Sequence, residues 1–329
     1  MSNRKKLSWV LAWVVASFLI YWCVQGVHWD RALSEWKNVH PWGLVLAVLF
    51  NLSILAFWAA QWKVFLPKRF HVSFGRMIEI NALMAMTLNT VPFLMGQVLG
   101  VVLLAKREKV GHAAALSALA LDQLAEGFSK ISLFLLVATL TPLPAWMKRG
   151  ILLAVLAILF LVIALFFFAH RFPGLQGSWK DPSHPRLKKV IHSITRWAHY
   201  LEALRDFRIL FFGLAMALGM KGMEAMAVFM IQKSFGLDLP IWTVFLVLAS
   251  VSLATMVPVA PGNLGVYEAT VFFIYQYLGV SAELALGLAL FQHLCFLVPN
   301  ILPGYLILLI RNFYPLKSRQ ASLGASLAE

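Results

Sequence analysis

A glutamate closes a stretch rich in proline and glycine, residues 257–268, which lies between two apolar runs. Prolines lack a backbone N–H and interrupt helices, whereas glycines adopt backbone angles that other residues avoid. We therefore predict that one helix stops near Met256 and that another begins at about Gly262. The free N–H groups at the start of the second helix would form a small positive pole, which suits an anionic group. Glu268 would lean back toward this break, because helical side chains point toward the preceding turn.

Other polar side chains lie within the apolar runs, where they are costly and tend to face a cavity or a partner. We assign a substrate site to the residues around two proline–glycine breaks: Asn89, Pro92, Gly96, Gln97, Pro261, Gly262, Asn263, Gly265 and Glu268. The candidates for ion coupling or salt bridges are Glu79, Asp122, Glu126, Lys130, Lys221, Glu224 and His293. Further polar positions of this kind are Asn81, Gln123, Gln292 and Asn300.

Two pairs of opposite charge have a simple structural interpretation beside the functional one. Glu126 and Lys130 are four residues apart, and Lys221 and Glu224 are three residues apart. At these spacings two side chains share one face of a helix, so each pair can neutralise itself. The same charges would also serve a polar substrate that crosses the membrane.

Glu268 and His293 also have more than one interpretation. Glu268 could cap stray N–H groups of the break, couple transport to protons, or form a salt bridge with Lys130, Lys221 or a cationic lipid head. His293 could be a hydrogen-bond donor between helices or a proton carrier. A titrating carboxylate at this depth would make Glu268 the central group of the site.

The residue patterns of the common membrane-embedded enzymes are missing from the sequence. We find no HExxH pattern, no Asp-rich motif and no Ser/His/Asp order. The two cysteines, Cys23 and Cys295, both lie in apolar runs, so we expect no disulfide and no metal site. The sequence predicts a protein that is not an enzyme and needs no cofactor.

The composition predicts an all-α polytopic membrane protein. Hydrophobic residues make up 61% of the 329 residues, charged residues only 13%, and the mean hydropathy is +0.79. No soluble domain of this length resembles such a chain. The net charge of +14 does not indicate nucleic acid, because the basic residues lie between the apolar runs.

Six apolar runs are long enough to cross a bilayer. They cover residues 7–27, 42–66, 113–140, 150–169, 209–231 and 283–310. Residues 76–105 and 241–278 are interrupted by the two breaks, and we predict that each forms a re-entrant hairpin. The prediction is six full spans plus two hairpins, or eight to ten spans if hairpin arms are counted separately. We treat residues 1–329 as a single membrane domain.

The distribution of basic residues predicts the orientation. Residues 170–208 hold eight Lys/Arg against three acidic residues, which is typical of a cytoplasmic loop. Within this loop, residues 187–204 have the pattern of a basic amphipathic helix on the membrane surface. We expect both termini in the cytoplasm and residues 28–40 and 234–240 outside. The predicted location is the cytoplasmic (inner) membrane.

Two segments of the chain share a local pattern. Residues 91–97 and 257–263 both read Val-Pro-x-x-x-Gly followed by an amide residue, and a second pair of matching segments follows at a similar offset. We predict a duplication whose units are residues 42–140 and 209–310. The first hairpin would enter from the cytoplasm and the second from outside. Inverted repeats with broken helices are the architecture of secondary transporters.

Residues 261–268 resemble the Pro-Gly-Gly-(Leu/Ile)-Gly-x-x-Glu signature of flippase-like integral membrane proteins. This family is related to the lysylphosphatidylglycerol synthase transmembrane region and includes hopanoid-associated members. Residues 89–97 resemble its first conserved patch. Asn263 replaces the second glycine, Gln97 stands where an acid is common, and residues 122–123 differ from the family's Glu-Arg pair. The resemblance covers nearly the whole chain and implies the membrane, lipid-translocating part without a soluble aminoacyl-transferase domain.

We therefore expect a flippase that moves an amphipathic lipid with an anionic head group through a site between the hairpins. The expected ligand is a membrane phospholipid or a polyprenyl- or hopanoid-type lipid, and a lipid biosynthetic enzyme is a further expected partner. The alternative is a non-catalytic scaffold or accessory subunit for an enzyme of lipid or glycolipid synthesis. Such a scaffold would bind through residues 170–208. A membrane-embedded enzyme is the third and least favoured class.

Overall fold

The computed structural model describes residues 3–91, 95–141, 143, 145–175, 206–256 and 260–313. Three features predicted above fall at least partly outside these residues. They are Pro92 of the substrate site, Pro258 of the second break, and the basic segment from residue 176 to residue 205 with its predicted surface helix.

The regular structure of the described residues is helical. In chain order the helices are α1 (Asn3–Val24), α2 (Trp29–Trp36), α3 (Pro41–Phe65), α4 (Phe74–Thr90), α5 (Met95–Val102), α6 (His112–Leu140), α7 (Ala145–Leu175), α8 (Phe207–Ser234), α9 (Trp242–Ala254), α10 (Val266–Tyr277) and α11 (Ala282–Phe313). A π-helical turn, Leu103–Arg107, extends α5, and a 3₁₀ turn, Pro261–Asn263, precedes α10.

Within the described residues, five helices are long and apolar enough to cross a membrane. They are Pro41–Phe65, His112–Leu140, Ala145–Ala164, Phe207–Ser234 and Ala282–Arg311. Each overlaps one of the six predicted spans. The remaining predicted span lies in α1, whose segment Trp13–Val24 is apolar but shorter. The chain is therefore an all-helical, multi-pass membrane protein.

The helices α4 and α5 form the first helical hairpin. Ser73 caps the start of α4 by accepting a hydrogen bond from the backbone N–H of Arg76 (3.4 Å). On α5, Gly96 and Gly100 lie so close to Met84 on α4 that neither position has room for a β-carbon. Close packing of glycine against the opposite arm holds the two helices together.

The helices α9 and α10 form the second hairpin, and the break between them is longer than the sequence predicts. Helix α9 ends at Ala254, before the predicted Met256, and α10 begins at Val266 instead of Gly262. The reason lies in the backbone, because Gly262, Asn263 and Gly265 have φ angles of +59°, +56° and +83°. Left-handed angles at these positions prevent a right-handed helix from starting earlier.

The open ends of the two hairpins lie at opposite ends of α11. In the first hairpin, Glu79 at the start of α4 contacts Arg107 beyond α5 and Arg311 near the end of α11. In the second, α10 leads directly into the start of α11. There Gln232 on α8 joins both arms, donating to Thr243 Oγ1 (3.3 Å) and to Tyr275 OH (3.1 Å).

The closed ends of the hairpins meet beside α11. A β-carbon added at Gly262 would stand 3.2 Å from the carbonyl oxygen of Asn89, the last residue but one of α4. Gly304 of α11 packs against Met86 and the carbonyl oxygen of Ala82 on α4. The meeting point is therefore enclosed by α4, α11 and the break before α10.

Burial separates the hairpins from the long helices. The residues of α4 from Ile80 to Met86 are all buried, as are most residues of α9 between Thr243 and Ser252. Long helices instead expose large apolar side chains, such as Leu153 and Phe160 on α7. The arms α4 and α9 thus lie inside a bundle whose outer surface suits lipid chains.

Candidate functional site

Two ion pairs face each other at the midpoints of α6 and α8. On α6, Lys130 Nζ lies 2.7 Å from Glu126 Oε1, and on α8, Lys221 Nζ lies 2.8 Å from Glu224 Oε2. All four side chains line one cavity of about 180 Å³, which we call the charged cavity. Both pairs are self-neutralised as the spacing predicts, and the fold brings them together.

Asn51 on α3 also lines the charged cavity, and a proline fixes its orientation. Pro299 inside α11 has no N–H, so the carbonyl of Cys295, four residues earlier, lacks its helical partner. Asn51 Nδ2 donates to that carbonyl (3.1 Å) and to the carbonyl of Ala47 (3.1 Å). These two bonds use both amide hydrogens of Asn51, so its side-chain oxygen remains available as an acceptor.

Asn263, in the break before α10, and Tyr267, in the first turn of α10, also line the charged cavity. Gln292 on α11 lies beside them and donates from Nε2 to Tyr267 OH (3.1 Å). Among the residues that the structure describes, Gln292 Oε1 and Asn263 Oδ1 are buried and have no hydrogen-bond partner. Two residues of the cavity lining therefore hold buried amide oxygens with unused capacity to accept a hydrogen bond.

Glu268 and His293 form a buried dyad behind this wall. His293 Nδ1 lies 2.7 Å from Glu268 Oε1, and His293 Nε2 lies 2.9 Å from the carbonyl oxygen of Gly262. The other carboxylate oxygen, Oε2, accepts the backbone N–H of Gly265 (2.7 Å). The Tyr267 ring, which lines the cavity, stacks on the His293 ring with centroids 4.1 Å apart.

The hydrogen bonds of the dyad place one proton on His293 Nε2 and confine a second to the contact with Glu268. A carbonyl oxygen only accepts, so His293 Nε2 must carry a hydrogen toward Gly262. One further proton lies between Nδ1 and Glu268 Oε1, and it belongs either to an imidazolium paired with a carboxylate or to a carboxylic acid beside a neutral imidazole. Both arrangements have zero net charge, which suits a site inside a membrane. The proton can move between Nδ1 and Oε1 without changing the total charge of the dyad.

The predicted positive pole at the break is therefore occupied by the protein itself. The N–H of Gly265 is capped by Glu268, as one of the three sequence interpretations anticipated. Glu268 forms no salt bridge with Lys130 or Lys221 in this structure, because those lysines pair within their own helices. His293 is the interhelical partner of Glu268 instead.

The first break contributes differently from the second. Asn89 donates to the carbonyl of Ala85 (2.8 Å), and its own carbonyl faces Gly262. Gly96 serves the packing of α5 on α4, and neither it nor Gln97 lines the charged cavity. Pro261 is buried in the 3₁₀ turn. Among those predicted residues around the two breaks that the structure describes, Asn263 alone lines the cavity directly.

Two predicted ionic residues lie away from the charged cavity. Asp122 is buried and accepts hydrogen bonds from Trp58 Nε1 (2.9 Å) and Gln123 Nε2 (3.2 Å). Glu79 lies at the open end of the first hairpin, where Arg107 and Arg311 bind it. These two acids therefore link neighbouring helices and do not line the charged cavity.

A second cavity is almost entirely apolar and lies on another face of the second hairpin. Its volume is about 500 Å³, and its lining includes Leu19 of α1, Leu253 of α9 and Phe273 of α10. We call it the apolar groove. Its lining is suited to an acyl chain or another hydrocarbon group, since such surfaces gain from excluding water.

Sequence reasoning overlooked several contributors to the site. Gln292 was named among the polar positions in the apolar runs, whereas nothing local distinguished Asn51 from an ordinary packing contact. Tyr267 gave no signal at all, because its stacking on His293 depends on packing between distant segments. The described residues contain no group of three His, Cys, Asp or Glu side chains arranged for a metal ion. The site is thus built from ion pairs, amides and one dyad.

Comparisons with known proteins agree with this architecture. The family model described as the lysylphosphatidylglycerol synthase TM region matches residues 9–304. A UPF0104 membrane protein of Methanothermobacter thermautotrophicus is 23% identical over 283 residues, which cover 78% of this chain and 82% of that protein. No solved structure matches the chain. Because the matched residues include the helices α3–α10 and nearly all of the site, the chain belongs to the family of the lysylphosphatidylglycerol synthase transmembrane region.

Proposed function

We propose that this protein is a lipid transporter of the flippase type, which moves an amphipathic lipid with a phosphate-bearing head group across the cytoplasmic membrane. The charged cavity carries this proposal. It holds two lysines and two carboxylates halfway along helices that span the membrane, at Glu126 and Lys130 on α6 and at Lys221 and Glu224 on α8. Ionised groups at that depth are expensive and usually mark the path of a substrate.

The hairpins supply the second line of support. Broken helices that meet at the midplane are typical of secondary transporters built from inverted repeats. Here Gly262 and Asn89 meet, and the open ends of the hairpins lie at opposite ends of α11. We propose that both hairpins are re-entrant and that residues 42–140 and 209–310 are inverted repeats. The buried surfaces of α4 and α9 fit this interpretation, because irregular backbone at membrane depth requires protein around it.

Transport would proceed by exchange of ionic partners. A phosphate that enters the charged cavity takes the place of Glu126 at Lys130, or of Glu224 at Lys221. Each lysine then keeps an anionic partner during the exchange, which avoids the large cost of an unpaired cation in the membrane interior. The apolar groove would accommodate part of the hydrocarbon chain. The dyad of Glu268 and His293 is separated from the cavity by the Tyr267 ring, which stacks on His293. This dyad would couple the exchange to a proton.

The remaining features are proposals about orientation and partners. We propose that both termini and residues 170–208 are cytoplasmic, since basic loops concentrate anionic lipid at that surface. The protein is proposed to have no enzymatic activity of its own. A lipid biosynthetic enzyme that supplies the transported lipid is a reasonable partner for the basic loop.

Reconstitution tests the proposal against the scaffold alternative. The purified protein is placed in vesicles with a fluorescent phospholipid, and accessibility of the fluorophore to dithionite reports its movement between leaflets. We expect movement well above that in protein-free vesicles. A protein that leaves the rate unchanged but co-purifies with a lipid biosynthetic enzyme would be a scaffold, and the transport proposal would be wrong.

A further inference from the structure

We infer that the charged cavity selects a head group that joins a phosphate to an ammonium group, as in a phosphoethanolamine lipid, over a head group of net negative charge. This inference rests on the proposed transport function and names its substrate class. Three observations on the cavity carry it: its charge balance, its unpartnered amide oxygens and its size.

The charges that line the cavity cancel. Lys130 and Lys221 are balanced by Glu126 and Glu224, and each lysine is within 2.8 Å of its carboxylate. A phosphate with no counter-charge would leave one negative charge unanswered in the membrane interior, which is strongly unfavourable. A head group with one phosphate and one ammonium adds no net charge. Its phosphate can replace a glutamate as the partner of a lysine, while its ammonium replaces that lysine as the partner of the glutamate.

The amide oxygens indicate where the ammonium would lie. Gln292 is 2% exposed, and its Nε2 is used by Tyr267, which leaves Oε1 without a partner among the described residues. Asn263 Oδ1 is in the same situation in the adjoining break. Both residues line the charged cavity. Oxygens of this kind need a donor, and an ammonium group brings three, whereas a phosphate oxygen brings none.

The size of the cavity limits the ligand to a head group. Sites for drug-sized ligands begin at about 300 Å³, and the charged cavity measures about 180 Å³. It therefore has room for a phosphate and a short amine, while the acyl chains must lie outside it. A bulky sugar head would not fit without movement of α6 or α8.

Native mass spectrometry of the purified full-length protein tests the inference. The protein is incubated with equal amounts of phosphatidylethanolamine and phosphatidylglycerol that carry the same acyl chains, and bound lipids are counted. We expect the ethanolamine lipid to be retained roughly tenfold more than the glycerol lipid, the effect of one charge-assisted hydrogen bond. Equal retention, or more of the glycerol lipid, would overturn the inference.

Variants of Gln292 locate the effect. Gln292→Leu removes the acceptor and should abolish the preference, whereas Gln292→Glu keeps an acceptor beside Tyr267 and should preserve or increase it. Gln276→Leu, at an exposed glutamine of α10, is the matched control and should leave the preference unchanged. A preference that survives Gln292→Leu, or that disappears in Gln292→Glu, would contradict the assignment of the ammonium site.

Two further measurements separate the possible failures. Soluble phosphoethanolamine carries the same head chemistry without acyl chains and should compete only weakly, so equal competition would show that the site binds a free solute and overturn the lipid assignment. Leaflet exchange is measured separately in vesicles. Exchange without head-group preference refutes this inference alone, whereas preference without exchange refutes transport and leaves the head-group site standing.

Discussion

His293 Nδ1 lies 2.7 Å from Glu268 Oε1, and both side chains are buried between the second break and α11. This contact joins the hairpin that carries Glu268 to the helix that runs past both hairpins. Because His293 Nε2 also donates to the carbonyl of Gly262, one histidine holds the break from two sides. Any movement of the second hairpin away from α11 must separate this pair.

The dyad makes a prediction for Glu268→Gln. The new amide can still accept from the N–H of Gly265 and donate to His293 Nδ1, so we expect a folded, monodisperse protein. It has no proton to release, and we therefore expect lipid translocation to be lost. Glu268→Ala removes both hydrogen bonds and should lower the free energy of unfolding by about 3 kcal/mol. Normal translocation by Glu268→Gln at every pH tested, with a misfolded Glu268→Ala, would make the dyad purely structural.

Gly265 provides a test of the packing between α1 and the second break. Its φ angle is +83°, and a β-carbon there would lie 2.6 Å from Ala16 Cα. Gly279 has the same φ angle of +83° but open space around it, so it is a matched control. Both alanine variants carry a backbone penalty of about 1–2 kcal/mol, and Gly265→Ala adds a clash with main chain. We expect the midpoint of thermal unfolding to fall further for Gly265→Ala, and equal shifts would show that α1 does not pack here.

The ion pairs of the charged cavity should tolerate joint removal better than single removal. Lys221→Met leaves Glu224 without its nearest partner, and we expect a loss of about 3–5 kcal/mol in stability. The double variant Lys221→Met/Glu224→Met restores neutrality and should recover most of that loss. Denaturation of the four members of this double-mutant cycle in detergent measures the coupling. Additive effects of the two substitutions would contradict the proposed pair.

Lys233 and Asp238 offer a surface control for that cycle. Lys233 Nζ lies 2.6 Å from Asp238 Oδ1, and the hydrogen bond from this lysine holds the pKa of Asp238 below its usual value. The aspartate side chain is 97% exposed, so water screens the pair. We expect Lys233→Met to have little effect on stability. A loss as large as that of Lys221→Met would mean that depth in the membrane is not what makes the cavity pairs sensitive.

Cysteine labelling tests the proposed orientation. On a background without Cys23 and Cys295, Asp238→Cys should react with an impermeant thiol reagent in intact cells. A cysteine at His71, which is exposed before the first hairpin, should react only after the cells are opened. The same is expected at position 181. Labelling of position 181 from outside in intact cells would exclude the inverted arrangement of the repeats.

The sequence predicted the class of fold and the existence of both breaks because these depend on local properties. Apolar length, proline and glycine report directly on where a helix can cross the membrane and where it must stop. The ion pairs on α6 and α8 could also be predicted from local sequence, since both partners of each pair lie within one helix. Predictions of this kind needed no knowledge of which helices are neighbours.

The partners of the dyad could not be predicted, because they depend on packing between distant segments. Glu268 and His293 are 25 residues apart, and the lysines offered as partners for Glu268 were equally compatible with the sequence. The start of α10 was placed too early because glycine permits a left-handed angle without requiring it. The close approach of Ala16 to Gly265 and of Asn89 to Gly262, which leaves little room for a β-carbon, is likewise visible only in the tertiary structure.

The most direct test of the account compares the initial rate of phospholipid exchange between leaflets in vesicles that contain the wild-type protein or Lys221→Met/Glu224→Met. Cooperative thermal unfolding at similar midpoints in detergent establishes that both proteins are folded. We expect the wild type to accelerate exchange and the double variant to keep no more than about a tenth of that acceleration. A tenfold loss of rate corresponds to a rise of about 1.4 kcal/mol in the activation free energy. Exchange by the double variant at the wild-type rate, or no acceleration by the wild type over protein-free vesicles, would contradict a lipid path through the charged cavity.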